Sequence, residues 1–200
     1  MNSRTRRSAR ANIHPSAHVA ETAVLDGAVT VGPQAVICHG AVLVAEGGCI
    51  SVGHSSIVME NSVLRSTSFA DCTLGNNVLV GPHCHLSGCQ IEDEVFVATG
   101  VSIFNGAHVG QGAELRIDAV VHLSTRVPCG ATVPIGWVAV GDPAQILPPD
   151  QHDAIWAVQK GLDFPMKVFG VDRQAAAQDS VVKRITERYA QFLLRRNKGS

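Results

Sequence analysis

The stretch VGPHCHLSGC, residues 80–89, places two imidazoles, two thiols and a hydroxyl close together. Neutral imidazoles ligate divalent metals and accept protons near neutral pH, so His83 and His85 are the first candidates for chemistry. Two apart on a strand, they would share one face, which is a permissible ligand geometry. Cys84 between them would then point the other way. The six cysteines (Cys38, Cys49, Cys72, Cys84, Cys89, Cys129) form no C-x-x-C pair, which argues against zinc-ribbon and thioredoxin-type chemistry. They read as reduced, small apolar side chains in a cytoplasmic protein. GGCISVG, residues 47–53, is glycine-rich but has no helix after it, so it is not a phosphate-binding loop.

What must position these residues is a repeat. Ile13, Val19, Leu25, Val31, Ile37 and Leu43 fall six apart, and four residues after each of the first five comes Ala17, Ala23, Val29, Ala35 or Ala41. After an interruption the register returns at Val52, Val58 and Leu64, and then at Leu74, Val80 and Leu86. From Ile91 it runs through Val97, Ile103, Val109, Leu115, Val121 and Val127 to Val133. Six is a multiple of the strand period and a poor match to 3.6, so the pattern predicts short strands joined by tight turns. No single unit can bury its apolar side, but stacked coils share a continuous core, which predicts an all-β solenoid, a parallel β-helix. Glycines such as Gly40, Gly100 and Gly106 suit its turns.

Beyond GDPAQILPP (141–149) the prolines end strand pairing, and two helical pieces are expected. The first, from Asp150, carries Ile155, Val158 and Leu162 on one side, with Trp156 at its margin. The second carries Val181, Ile185, Tyr189, Phe192 and Leu193 on one stripe, with Asp179 and Ser180 suited to its start and Arg195–Arg196 to its end. The resulting division is a basic arm (1–12), a β-helix (13–146) and a helical extension (147–200). Hydrophobic residues are 46% of the chain and aromatics 4%, so an aliphatic core is expected. A formal charge of −1 gives no reason to expect nucleic acid as a partner, and no apolar run is long enough for a membrane span.

At these repeats the sequence resembles the left-handed β-helix proteins with hexapeptide repeats, the isoleucine-patch superfamily, over about residues 13–146. The resemblance implies three hexapeptides per coil, about seven coils and the left hand, since ordinary parallel crossovers are right-handed. Within that superfamily the chain is similar to the γ-class carbonic anhydrase-like branch. The interruption LVAEGGCISVG (43–53) resembles its Arg-Gly-Asp segment and VMENSVL (58–64) its IQDGSVL segment. VGPHCHLSGC resembles VGHxxxLHGC, and WVAVGDPAQ (137–145) its closing G-x-P-A motif. The resemblance implies a homotrimer with a divalent metal held between subunits by three histidines. Carried over by position, those histidines fall on Arg65, Pro82 and Ser87, while the Arg, Asp and Gln of the branch fall on Val44, Glu46 and Met59. Acidic character remains at Glu46 and Glu60.

The residue after the apolar position of every third hexapeptide should form a column up one edge: Asp26, Val44, Arg65, Ser87, Phe104, His122. A guanidinium cannot ligate a metal and proline has no donor, so the ligand triad is absent in this register. Three readings follow. The chain is a trimeric small-ligand-binding or assembly protein without CO2 hydration, using Arg65, Ser87, Phe104, His122 and Glu60 around a small anionic or acyl ligand. Alternatively it is a coenzyme A-dependent acyltransferase. There HLSGC stands where UDP-sugar acyltransferases of the superfamily carry HxxHDC, and His85, Ser87 or His83 would be catalytic. Or it is a divergent carbonic anhydrase with an off-register His83/His85 metal site. Arg65 either receives an anion or pairs with Glu46 or Glu60 at an interface. His122 is either a pocket wall or an exposed edge residue. Phe104 and Trp137 either line an acyl groove or pack against the C-terminal helices.

Overall fold

A computed structural model describes residues 11–173 and 180–197; of Arg196 and Asn197 it describes the backbone. The proposed arm up to residue 10, and Asp179, lie outside the described residues. Each apolar repeat residue lies in a strand of two to four residues, giving 22 strands among the described residues, from β1 (Asn12–Ile13) to β22 (Gln145–Leu147). The first 21 stack as three parallel seven-stranded sheets, each strand pairing with those three before and three after it. This is a left-handed parallel β-helix of seven coils, as the spacing and the resemblance together lead one to expect. β22 folds back antiparallel on β21 (Val138–Val140) and closes the last sheet.

The core is the inward column of the repeat. Ile37, Leu43, Leu64, Leu86, Ile103, Leu115 and Val121 are each fully buried, with small partners Ala35, Ala41, Cys84 and Ala113 beside them. Three residues after the apolar position the chain turns in the left-handed region, at Gln34 (φ 55°), Asn61 (φ 58°), Asn77 (φ 55°) and His83 (φ 59°), and at Gly40 and Gly100. The outward residues divide the prism. One face is polar: Thr30, Ser51, Thr73, Gln90, His108 and Arg126 succeed one another on it. The second carries Val36, Ile57, Leu79 and Phe96, and the third Val24, Val42, Val63, Val120 and Val138.

Two coils are interrupted at one corner. The chain leaves β6 (Val42–Ala45) through residues 46–49 before β7 (Ile50–Val52), and leaves β9 (Val63–Ser66) through residues 67–71 before β10 (Cys72–Leu74). The two loops stack, Glu46 N donating to Ser66 O at 3.1 Å. In the coil above, the chain turns the same corner with Gly88 and Cys89, and an added Cβ at Gly88 would stand 2.8 Å from the Ala70 Cβ.

Among the described residues the C-terminal part forms three α-helices where two were expected. α1 (His152–Gln159) buries Ile155 and continues into a 3-10 turn through Leu162. A separate short helix, α2 (Phe164–Phe169), begins with Pro165 in its first turn and ends at Gly170 (φ 64°). Proline is suited to a first turn because its missing N–H has no partner there, and this restart adds a helix beyond the first expected piece, which α1 and its 3-10 turn already cover. α3 (Val181–Asn197) starts as expected at Ser180, whose Oγ accepts from Lys183 N at 3.1 Å. α2 and α3 pack on one another. Among the described residues no helix is long and apolar enough to cross a membrane.

Candidate functional site

The column read from the spacing is present in the strand pairing. Asp26 lies opposite Val44, Val44 opposite Arg65, and Arg65 opposite Ser87 of β12 (His85–Ser87). Phe104 and His122 continue it, their rings 6.2 Å apart.

At its centre Arg65 is held by two partners. Its Nη2 donates to Glu46 Oε1 and, at 2.5 Å, to the Tyr189 hydroxyl, which donates in turn to Glu46 Oε2 at 2.9 Å. Glu46 comes from the first corner loop and is 6% exposed. A carboxylate so buried needs a cation and full hydrogen bonding, and both of its oxygens are engaged. Arg65 comes from β9, one coil above that loop, and Tyr189 from α3. Burial, and after it the Glu46 carboxylate, push the Tyr189 hydroxyl pKa up. Of the two acids named for Arg65, Glu46 is the partner, within the same chain. Glu60 lies instead beside Cys38, where burial first and Glu60 second push the thiol pKa up.

Above Arg65, Ser87 is buried and its Oγ donates to Asn105 Oδ1 at 3.3 Å. His85 stands half-buried on β12 with its ring 6.4 Å from Phe104. Burial, then the Arg65 charge, lower its pKa, so its imidazole is neutral at neutral pH. Burial alone does the same to His122, whose Nδ1 is buried without a hydrogen-bond partner among the described residues. Phe104 therefore stands between two neutral imidazoles. Trp137 is partly buried and packs against the solenoid core.

The shared face expected for His83 and His85 is not formed. His83 occupies the left-handed turn position and is exposed, and β12 begins only at His85. The strand rule fails there because the backbone reverses between the two residues. Cys84 does point inward, its Sγ donating to Ala98 O at 3.0 Å. Among the described residues no group of three His, Cys, Asp or Glu side chains could hold a metal ion. His108 lies on the polar face, between Gln90 and Arg126. There its Nε2 lies 2.7 Å from Glu92 Oε1, and hydrogen bonds from Gln111 N and from His108 lower the Glu92 pKa.

A cavity of about 160 Å³ opens beside the triad, between the corner loops and the last two helices. Phe69, Phe169, Tyr189 and Phe192 form its walls, and Glu46 and Arg188 reach into it. The rings support one another: Phe169 meets Tyr189 edge-on at 5.7 Å, and Tyr189 stacks on Phe192 at 6.2 Å.

No family model matches the chain. It is 30% identical over 141 residues to gamma carbonic anhydrase 1, mitochondrial, of Arabidopsis thaliana, which covers 68% of this chain and 49% of that protein. The chain thus spans about half the length of the curated relatives it matches. Among solved structures, a UDP-N-acetylglucosamine acyltransferase from Bacteroides fragilis superposes with a TM-score of 0.57, covering 91% of this chain and 89% of that chain at 15% identity. A candidate acetyltransferase from Bacillus cereus superposes with a TM-score of 0.52, covering 76% and 86% at 23% identity. These structural likenesses establish the fold.

Proposed function

Because the chain belongs to the left-handed β-helix hexapeptide-repeat superfamily, we propose that it is a trimeric small-ligand-binding or assembly protein of γ-carbonic-anhydrase type that does not hydrate CO2. One observation carries the reading. The position where the resemblance puts a metal-ligating histidine holds Arg65, tied to Glu46 and Tyr189. A guanidinium has no lone pair for a metal, Ser87 is engaged with Asn105, and Pro82 offers no donor. His85 and His122 lie two coils apart, roughly 9–10 Å at strand spacing, so one ion cannot take both within a chain. These residues do not fit a histidine-ligated divalent ion. Apolar residues exposed on the two outward faces other than the polar one, among them Val24 at 50% and Phe96 at 37%, support a trimer that covers them. Reduced cysteines keep the cytoplasmic setting as part of the proposal. The test is stopped-flow CO2 hydration by protein grown and purified with added zinc, iron or cobalt. No rate above buffer is expected, and metal-dependent turnover would overturn the reading.

A second reading, coenzyme A-dependent acyl transfer, draws on His85, a neutral half-buried base beside Phe104. It requires that saturating acetyl-coenzyme A raise the unfolding temperature; no shift would remove it.

A further inference from the structure

We propose that the cavity between the corner loops and helices α2 and α3 is a binding site for a small aromatic carboxylate, a ring of about benzoate size carrying one anionic group. This rests on the reading of the chain as a small-ligand-binding scaffold and names the ligand class for it.

Size comes first. A cavity of about 160 Å³ matches the volume of about 150 Å³ that takes up benzene in an apolar protein interior. A nucleotide or a pantetheine chain is too large to be enclosed by it. Shape and polarity come second. The rings of Phe169, Tyr189 and Phe192 form a connected wall, and Phe69, 77% exposed on the second loop, stands at the mouth as a large apolar side chain without cover. A flat apolar body is what such walls accept in stacked or edge-on contact.

Charge decides between a cation and an anion. An aromatic box with a carboxylate would ordinarily suggest an ammonium ligand. Among the described residues the only carboxylate in the lining is Glu46, and both of its oxygens are taken by Arg65 and Tyr189. Arg188, by contrast, has no ion pair or hydrogen bond among the described residues, yet it lines the cavity. Glu46, Arg65 and Arg188 together leave a local excess of one positive charge. The Arg188 guanidinium lies over the Gly170 backbone, with Nη2 only 3.1 Å from where a Cβ at Gly170 would stand. Its planar fork matches a carboxylate, and an ammonium would be repelled.

The test is isothermal titration of the full-length protein with benzoate, with acetate (the charge without the ring) and benzylamine (the ring with the opposite charge) as comparisons. Benzoate is expected to bind with a Kd of about 1 mM or tighter, reasonable for so small a ligand. Acetate and benzylamine should bind at least about tenfold more weakly. Arg188→Gln, at an exposed helix position that leaves the fold intact, should weaken benzoate about tenfold or more. Phe69→Ser should weaken it a few-fold. Equal binding of benzylamine, unchanged affinity in Arg188→Gln, or no heat up to about 10 mM benzoate would overturn the proposal. Loss of metal binding and CO2 turnover is tested separately, so Arg188-dependent benzoate binding can stand or fall without it.

Discussion

Replacing Arg65 by Met should destabilise the protein by about 2–3 kcal/mol, less than a fully buried pair would give. Removing one partner of a buried ion pair typically costs about 3–5 kcal/mol, because the other charge is left desolvated. Glu46 meets that condition at 6% exposure, but the Arg65 side chain is 34% exposed, so water partly replaces it beside the carboxylate. Tyr189 would still donate to Glu46 Oε2, which keeps the loss below the upper bound. Arg65→Lys retains the charge but cannot span Glu46 and Tyr189 with one fork, so about 1 kcal/mol is expected. Urea titration at fixed protein concentration reads these values, and at about 2–4 °C per kcal/mol the Met variant should melt about 5–10 °C lower. In a double-mutant cycle with Glu46→Gln, the two losses should fall short of additive by more than about 1 kcal/mol. A loss below about 0.5 kcal/mol in Arg65→Met would place the pair among ordinary surface contacts and refute the claim that Arg65 is structurally committed.

Lowering the pH should weaken the fold through His85 and His122. Both have pKa values lowered by burial, so below the ordinary histidine value of about 6.5 the unfolded chain binds protons that the folded chain refuses. Their contribution is intact above that pH and is lost as pH falls toward the lowered folded values. A His85→Leu/His122→Leu variant should show a shallower loss between about pH 6.5 and 5 in urea titrations, and an equal loss would contradict the assignment. Phe96→Glu places a charge on an apolar outward face, so light scattering should report a smaller assembly whose circular dichroism is unchanged; an intact trimer would show that this face is not an interface.

The solenoid was legible because its period repeats through seven coils, so local ambiguities cancel. The same regularity located the column from Asp26 to His122, since residues one coil apart must pair. It also held the information that misplaced His83. His83 follows Val80 by three residues, as Gly40 follows Ile37 and Gly100 follows Val97, and that position is the left-handed turn. Tyr189 was readable only as part of an apolar stripe. Its hydroxyl meets Arg65 across 124 positions of sequence, and no local pattern encodes such a contact. One cue existed: the chain's single tyrosine sits in a stripe whose other members are purely apolar. α2 was missed because six residues are too few for a helical period to register.

In the proposed reading a guanidinium held by a carboxylate and a phenol stands where relatives would hold a metal. Native mass spectrometry of protein prepared with added zinc tests it most directly, by weighing the assembly and its ions together. The mass of three bare chains is expected. Three chains carrying about one ion each, lost when His83 and His85 are changed to Ala, would contradict it.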